Sequence, residues 1–137
     1  MSGETDLSVL VQLMRPRQVV GEYVFVVTST LPDDVEAFAM VREPEGSTYV
    51  VRKGDADRYS MEYDFVAGWI VLEVHSALNA VGLTAVVSQS LADADISCNV
   101  LAGYFHDHLL VPHAATKEAL RVLARLVEAG PTATKTL

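Results

Sequence analysis

A single cysteine, Cys98, occurs among the 137 residues, so the chain has no partner for an internal disulfide and no CxxC pair for zinc or thiol redox chemistry. A reducing, cytoplasmic setting is expected, and the opening Met1-Ser2-Gly3-Glu4-Thr5-Asp6 has neither the basic nor the apolar segment of an export signal. Cations are scarce too. Lys and Arg number 10 against 18 Asp and Glu, a formal net charge of −8, and the basic residues stand singly. Such a chain repels phosphate backbones and anionic bilayers, so nucleic acid and membranes are not expected partners. No long apolar run compensates: the strongest stretch, 69–87, is interrupted by Glu73, His75, Ser76 and Asn79 and reads as no membrane span. Ser88 and Ser90 lack the Gly-x-Ser-x-Gly elbow of a hydrolase nucleophile, and no cofactor is expected.

What is present suffices for a core, since a chain of this length buries about 68% of its unfolded surface. Leu7, Leu10, Val11 and Met14 fall at i, i+3, i+4 and i+7, which predicts a short helix with Thr5 as its cap and Arg15-Pro16 as its stop. A strand through β-branched Val9 and Val11 is the rival reading. The run from Glu22 to Ser29 predicts a buried strand. Extended segments over 37–42 and 48–52 flank the turn residues Glu43-Pro44-Glu45-Gly46, the pattern of a hairpin. A single helical turn is expected within 54–61.

The second half is more regular. Alternation over 69–75 predicts a central strand, and Leu83, Val86, Val87, Ser90, Leu91 and Ala94 predict a helix over 82–93. Two strands should follow, over 96–102 and 106–111, turning at Gly103-Tyr104. Ala119, Leu120, Leu123, Ala124 and Val127 stripe a last helix stopped by Gly130-Pro131, with a frayed tail over 132–137.

The segments His75-Ser76-Ala77-Leu78, Val81-Gly82-Leu83-Thr84-Ala85, Leu91-Ala92-x-x-Asp95-Ile96-Ser97, Ile96-Ser97-Cys98-Asn99 and Gly103-Tyr104-Phe105-His106-Asp107-His108 resemble the ACT domain family, and within it a bacterial group of small tandem members. Tyr23-Val24-Phe25-Val26 and Arg42-Glu43-Pro44-Glu45-Gly46-Ser47-Thr48 resemble the degenerate first unit of that group, so the likeness covers nearly the whole chain. It implies an α+β fold of two ferredoxin-like βαββαβ units, an antiparallel sheet with helices on one face, divided as 1–61 and 62–137. It further implies a module that senses an amino acid, as tandem ACT modules do in nutrient signalling and aspartate kinase regulation, and that acts on a separate target protein. Open sheet edges tend to be covered or paired, so a homodimer is expected. Two departures stand out. The segment from Ser76 to Gly82 is longer than the common ACT loop and lacks its Arg and Pro, and Asp95 occupies the usual glycine position before Ile96.

An amino-acid ligand needs donors for its carboxylate and acceptors for its ammonium. Backbone amides at Val81, Gly82, Leu83 and Thr84, opening a helix, suit the first; Ser76, Thr84 and Asn99 offer side-chain hydrogen bonds, and Asp107, Glu43 or Glu45 suit the second. The resemblance implies a ligand lodged between the two halves, where tandem ACT modules of this kind place one, and the turn Arg42-Glu43-Pro44-Glu45-Gly46 could present its carboxylates to it. The plainer role is structural: Gly82 permits a tight turn, Ser76 caps, Asn99 satisfies backbone, and Glu43 and Glu45 belong to a solvated hairpin. A ligand-free protein-interaction module is the alternative. A further one is a metal-dependent enzyme, because His106 and His108 are spaced to point the same way from a strand, with His75 or His113 as a third ligand and Glu73 as a base. Cys98, alternating with Ile96 and Val100 and remote in sequence from cations, is expected to be an inert, buried thiol.

Overall fold

In a computed structural model of the chain, residues 3–130 are described; the expected C-terminal tail lies outside them. Along the chain run α1 (Leu7–Leu13), β1 (Pro16–Thr28), β2 (Ala39–Glu43), β3 (Gly46–Arg52), α2 (Lys53–Arg58), β4 (Val66–Leu72), α3 (Leu83–Asp93), β5 (Asn99–Ala102), β6 (Asp107–Pro112), a 3-10 turn (His113–Ala115) and α4 (Thr116–Ala129). The fold is α+β with antiparallel hairpins, as the ferredoxin-like expectation requires.

Contacts divide the chain into two compact units: residues up to 19 together with those from 68 onward, and residues 20–67. The sequence expectation instead makes one cut, after residue 61. Strands β1 and β4 each contribute to both units, β1 giving residues 16–19 to the larger and 20–28 to the smaller.

The larger unit has the strand order β1-β4-β6-β5, with α3 as the crossover after β4 and α4 following β6. Strand β4 is buried from Ala67 to Leu72, which is why its sequence is a continuous apolar run rather than an alternation. Helix α3 buries Leu83, Val87 and Leu91 at spacings of four, and α4 buries Ala119, Val122, Leu123 and Leu126. These pack with Leu10, Val11 and Met14 from α1 and its end, with Ile70 and Leu72 from β4, and with Leu109 and Val111 from β6. Fully burying each large side chain contributes about 1.5–3 kcal/mol. α1 is a helix, not a strand, because its apolar stripe meets that core; its cap is Asp6, whose carboxylate accepts from the Val9 amide at 3.1 Å, rather than Thr5.

The smaller unit has the order β2-β3-β1 and a core of Val24, Val26, Val35, Val51 and Ala56. Its hairpin registers Arg42 with Ser47 and Glu43 with Gly46, leaving Pro44-Glu45 as the two-residue turn. Gly46 has φ 145°, a conformation L side chains rarely adopt. Residues 29–38, where a full ferredoxin-like unit would place its first crossover helix, contain no helix, so this unit is the degenerate one.

Three expected elements are shorter in the structure: β5 begins at Asn99 rather than Ile96, and the other two differences move a histidine. β4 ends at Leu72, not His75: the Val74 amide bonds to the Leu72 carbonyl and the Ser76 amide to the Val74 carbonyl, two successive three-residue turns that fold the chain out of the sheet. β6 begins at Asp107, because the His106 carbonyl is held by the Gly103 amide at 2.9 Å in the hairpin turn.

Candidate functional site

The turn out of β4 delivers residues 76–81 beside the start of α3. The N-terminal segment fixes them there: the Glu4 amide bonds to the His75 carbonyl at 2.9 Å, and the Ala77 amide to the Glu4 carbonyl at 3.0 Å. Gly82 then takes φ 106°, a left-handed value, and starts α3 with no side chain capping its first turn. Helix geometry leaves the first-turn amides without intrahelical acceptors, at the positive end of the helix dipole.

A recess of about 130 Å³ opens at this junction, lined by Ser76, Ala77, Leu78, Ala80, Gly82, Leu83, Thr84, Ala102 and Asp107. It brings together Ser76, Gly82, Leu83, Thr84 and Asp107 from the residues expected at a ligand site. Asp107 is half-buried, and burial, partly offset by neighbouring His108, holds its carboxyl above the ordinary 3.8. The recess thus places the half-buried acid Asp107 and the hydroxyl-bearing Ser76 and Thr84 beside the opening of α3. Ala77, Leu78, Ala80 and Ala102 were missed by sequence reasoning, since small and apolar residues carry no chemical signal of a wall.

Val81 precedes Gly82 but points to solvent, 82% exposed, and Asn99 is exposed at the start of β5; neither lines the recess. Glu43 and Glu45 lie on the hairpin of the smaller unit, where Glu43 accepts from the Thr48 hydroxyl at 2.7 Å.

The expected histidine pair does not form as a pair on one strand. His108 lies on β6, half-buried, and its Nδ1 accepts from Trp69 Nε1 at 3.0 Å with the rings edge-on, 5.7 Å apart. Burial, then the nearby His106, lowers its pKa from the ordinary 6.5. His75 lies against Tyr104 and Phe105, with ring centroids 6.0 and 5.5 Å away. Among the described residues no group of three or more His, Cys, Asp or Glu is placed to hold a metal ion. Cys98 is partly buried, and desolvation pushes its thiol up to about 11, opposite to the shift a nucleophile needs.

Profiles described as ACT domain match residues 2–68 and 64–125. A crystal structure from Vibrio cholerae, described as a protein of unknown function and possible transport protein, is 39% identical, covering 88% of this chain and 95% of that one at a TM-score of 0.79. The chain belongs to the ACT domain family. The fold is shared with more remote structures: a protein from Agrobacterium tumefaciens is 18% identical, TM-score 0.64, covering 83% of this chain and 89% of that one. The ligand-free regulatory subunit of aspartate kinase from Thermus thermophilus matches at 9% identity and a TM-score of 0.60, covering 80% and 94%. These two share the fold. No protein with a curated description matches in sequence. The two ACT matches meet at residues 64–68, within or beside the start of β4. No helix among the described residues of this ACT-domain chain is long and apolar enough to cross a membrane.

Proposed function

We propose that this ACT-domain chain is a non-catalytic regulatory module that binds an amino acid in the recess beside Gly82. The observation that carries the reading is that Ser76, Gly82, Leu83, Thr84 and Asp107 line one recess, with helix-start amides for a carboxylate and a half-buried acid for an ammonium. Membership of the ACT domain family supports a ligand-binding, regulatory role. The division into an N-terminal unit over 1–61 and a C-terminal one over 62–137, a cytoplasmic setting, and action on a separate target protein belong to the same proposal. So does a homodimer, which would cover the edge strands β2 and β5; sedimentation giving a mass near the 14.9 kDa of one chain would refute it. Titration calorimetry against the twenty amino acids tests the binding, and heat from none of them at millimolar concentration refutes it.

A second reading, a protein-interaction module with no small ligand, is favoured by the exposed apolar side chains Leu78, Val81, Tyr104 and Phe105 on the larger unit. It predicts that the chain captures its partner equally well with Asp107→Asn.

A further inference from the structure

Strand β1 is 13 residues long and β4 only 7, so β1 outruns its neighbour in the sheet. The overhang falls at the far end of β1, because the Glu73 amide just past β4 bonds to the Arg15 carbonyl just before β1. Residues 23–28 pair with β3 on one side. On the other, the chain over 59–65 is no strand and, among the described residues, makes no backbone hydrogen bond to residues 25–28. Every second residue of that stretch therefore turns its N–H and C=O toward an open edge. We infer that this edge takes up an extended, cationic segment of a partner protein as an added strand. The inference rests on the reading of a separate target protein and not on that of an amino acid, since the groove at this edge shares no residue with the recess beside Gly82.

Local structure makes the groove. Ser60, at φ 55°, closes α2: its amide bonds to the Asp57 carbonyl at 3.1 Å and the Met61 amide to the Ala56 carbonyl at 2.8 Å. From there the side chains alternate, Met61 and Tyr63 packing on the core of the smaller unit while Glu62 and Asp64 are exposed. The segment leans on the core instead of pairing with β1, and a groove opens between them, lined by Phe25, Val27, Tyr59, Glu62, Tyr63 and Asp64. Hydroxyl bonds from Tyr59 to Asp34 and from Tyr63 to Asp57 fix both rings as walls. Phe25 and Val27 share the face of β1 opposite the core residues Val24 and Val26, and Val27 is 66% exposed.

Charge decides the occupant. Residues 20–67 hold ten Asp and Glu against four Lys and Arg. Three of those cations are already engaged: Arg52 by Glu36 at 3.2 Å, Lys53 by Asp57 at 2.9 Å and Arg58 by Asp34 at 2.7 Å. Glu62 and Asp64 have neither an ion pair nor a hydrogen bond among the described residues. A strand with Lys or Arg at every second position presents its cations on one face to these two acids, and β-branched side chains on the other to Phe25 and Val27. The net charge of −8 opposes a second copy as the occupant.

The test is fluorescence anisotropy of a labelled Lys-Val-Lys-Val-Lys-Val peptide titrated with the whole chain at low salt. It is repeated with a Glu-Val-Glu-Val-Glu-Val peptide, with the Lys-Val peptide N-methylated throughout, and with the double variant Glu62→Lys, Asp64→Lys, whose two positions are exposed. The Lys-Val peptide should bind, and each of the three changes should weaken binding about tenfold or more. Equal binding of the N-methylated peptide, or full displacement by spermidine at equal concentration, leaves only attraction between charges and overturns strand addition. Undiminished binding in the double variant places the peptide elsewhere and overturns the site. A dimer in sedimentation that the peptide dissociates puts a second copy at this edge and overturns the partner named here. No binding of the Lys-Val peptide overturns the inference and leaves the amino-acid reading to its own titration.

Discussion

Gly82→Ala removes the feature on which the proposed site turns. Gly82 has φ 106°, and forcing a side chain into sparsely populated backbone space costs about 1–3 kcal/mol. The added Cβ would also meet a Leu7 methyl at 3.0 Å, but that methyl is the far end of a flexible side chain and can turn away. Backbone strain therefore dominates, and a chain of this size should lose roughly 3–12 °C of melting temperature. Thermal unfolding followed by circular dichroism measures the loss. The double variant with Leu7→Ala separates the causes: strain leaves the loss due to Gly82→Ala unchanged in that background, whereas a steric origin reduces it. Amino-acid binding should weaken as well, because the strained residue re-aims the first-turn amides of α3. A Gly82→Ala protein that melts like the parent and binds as well would refute the argument.

Gly68→Ala drives a methyl against the Thr116 hydroxyl, which is nearly buried and donates to the His113 carbonyl at 2.8 Å; overpacking plus loss of that bond should cost about 2–4 kcal/mol, and Thr116→Ala should restore part of it in a double-mutant cycle read by urea midpoints. Asp95 holds φ 61° after α3, so Asp95→Gly should leave stability unchanged or raise it by up to about 1 kcal/mol, and a fall in the urea midpoint would contradict the strain. Trp69, the single tryptophan, bonds to His108, so its fluorescence should titrate with a midpoint below 6.5 and lose that titration in His108→Gln. Between that midpoint and 6.5 the unfolded chain binds more protons at this histidine, so His108 makes stability fall as pH falls through the window. Asp107 acts oppositely: from 3.8 up to its raised folded value the folded chain binds more protons, so its own contribution makes stability rise as pH falls there.

The helices and the central strand were legible because their burial repeats in sequence: Leu83, Val87 and Leu91 on α3, the stripe of α4, and the apolar run of β4. Pro44 and Gly46 marked the hairpin, and Asp95 took the left-handed conformation that the family's glycine position requires. The glycine-started helix, with Ser76 and Asp107, was legible by family resemblance and by the chemistry of amides and acids.

What only the tertiary structure decided is where distant segments close on one another. Pairing of the Glu4 backbone with His75 and Ala77, which pins one wall of the recess, joins residues more than seventy positions apart and leaves no local pattern. The alanines of the wall matter through the space they leave, a property of neighbours rather than of their own chemistry. The histidine spacing misled because β4 ended three residues early and β6 started one residue late, and strand ends are set by which backbone groups find partners across the sheet. Periodicity along the chain thus set the elements, whereas loop closure and side-chain volume, which depend on the whole packed unit, shaped the recess.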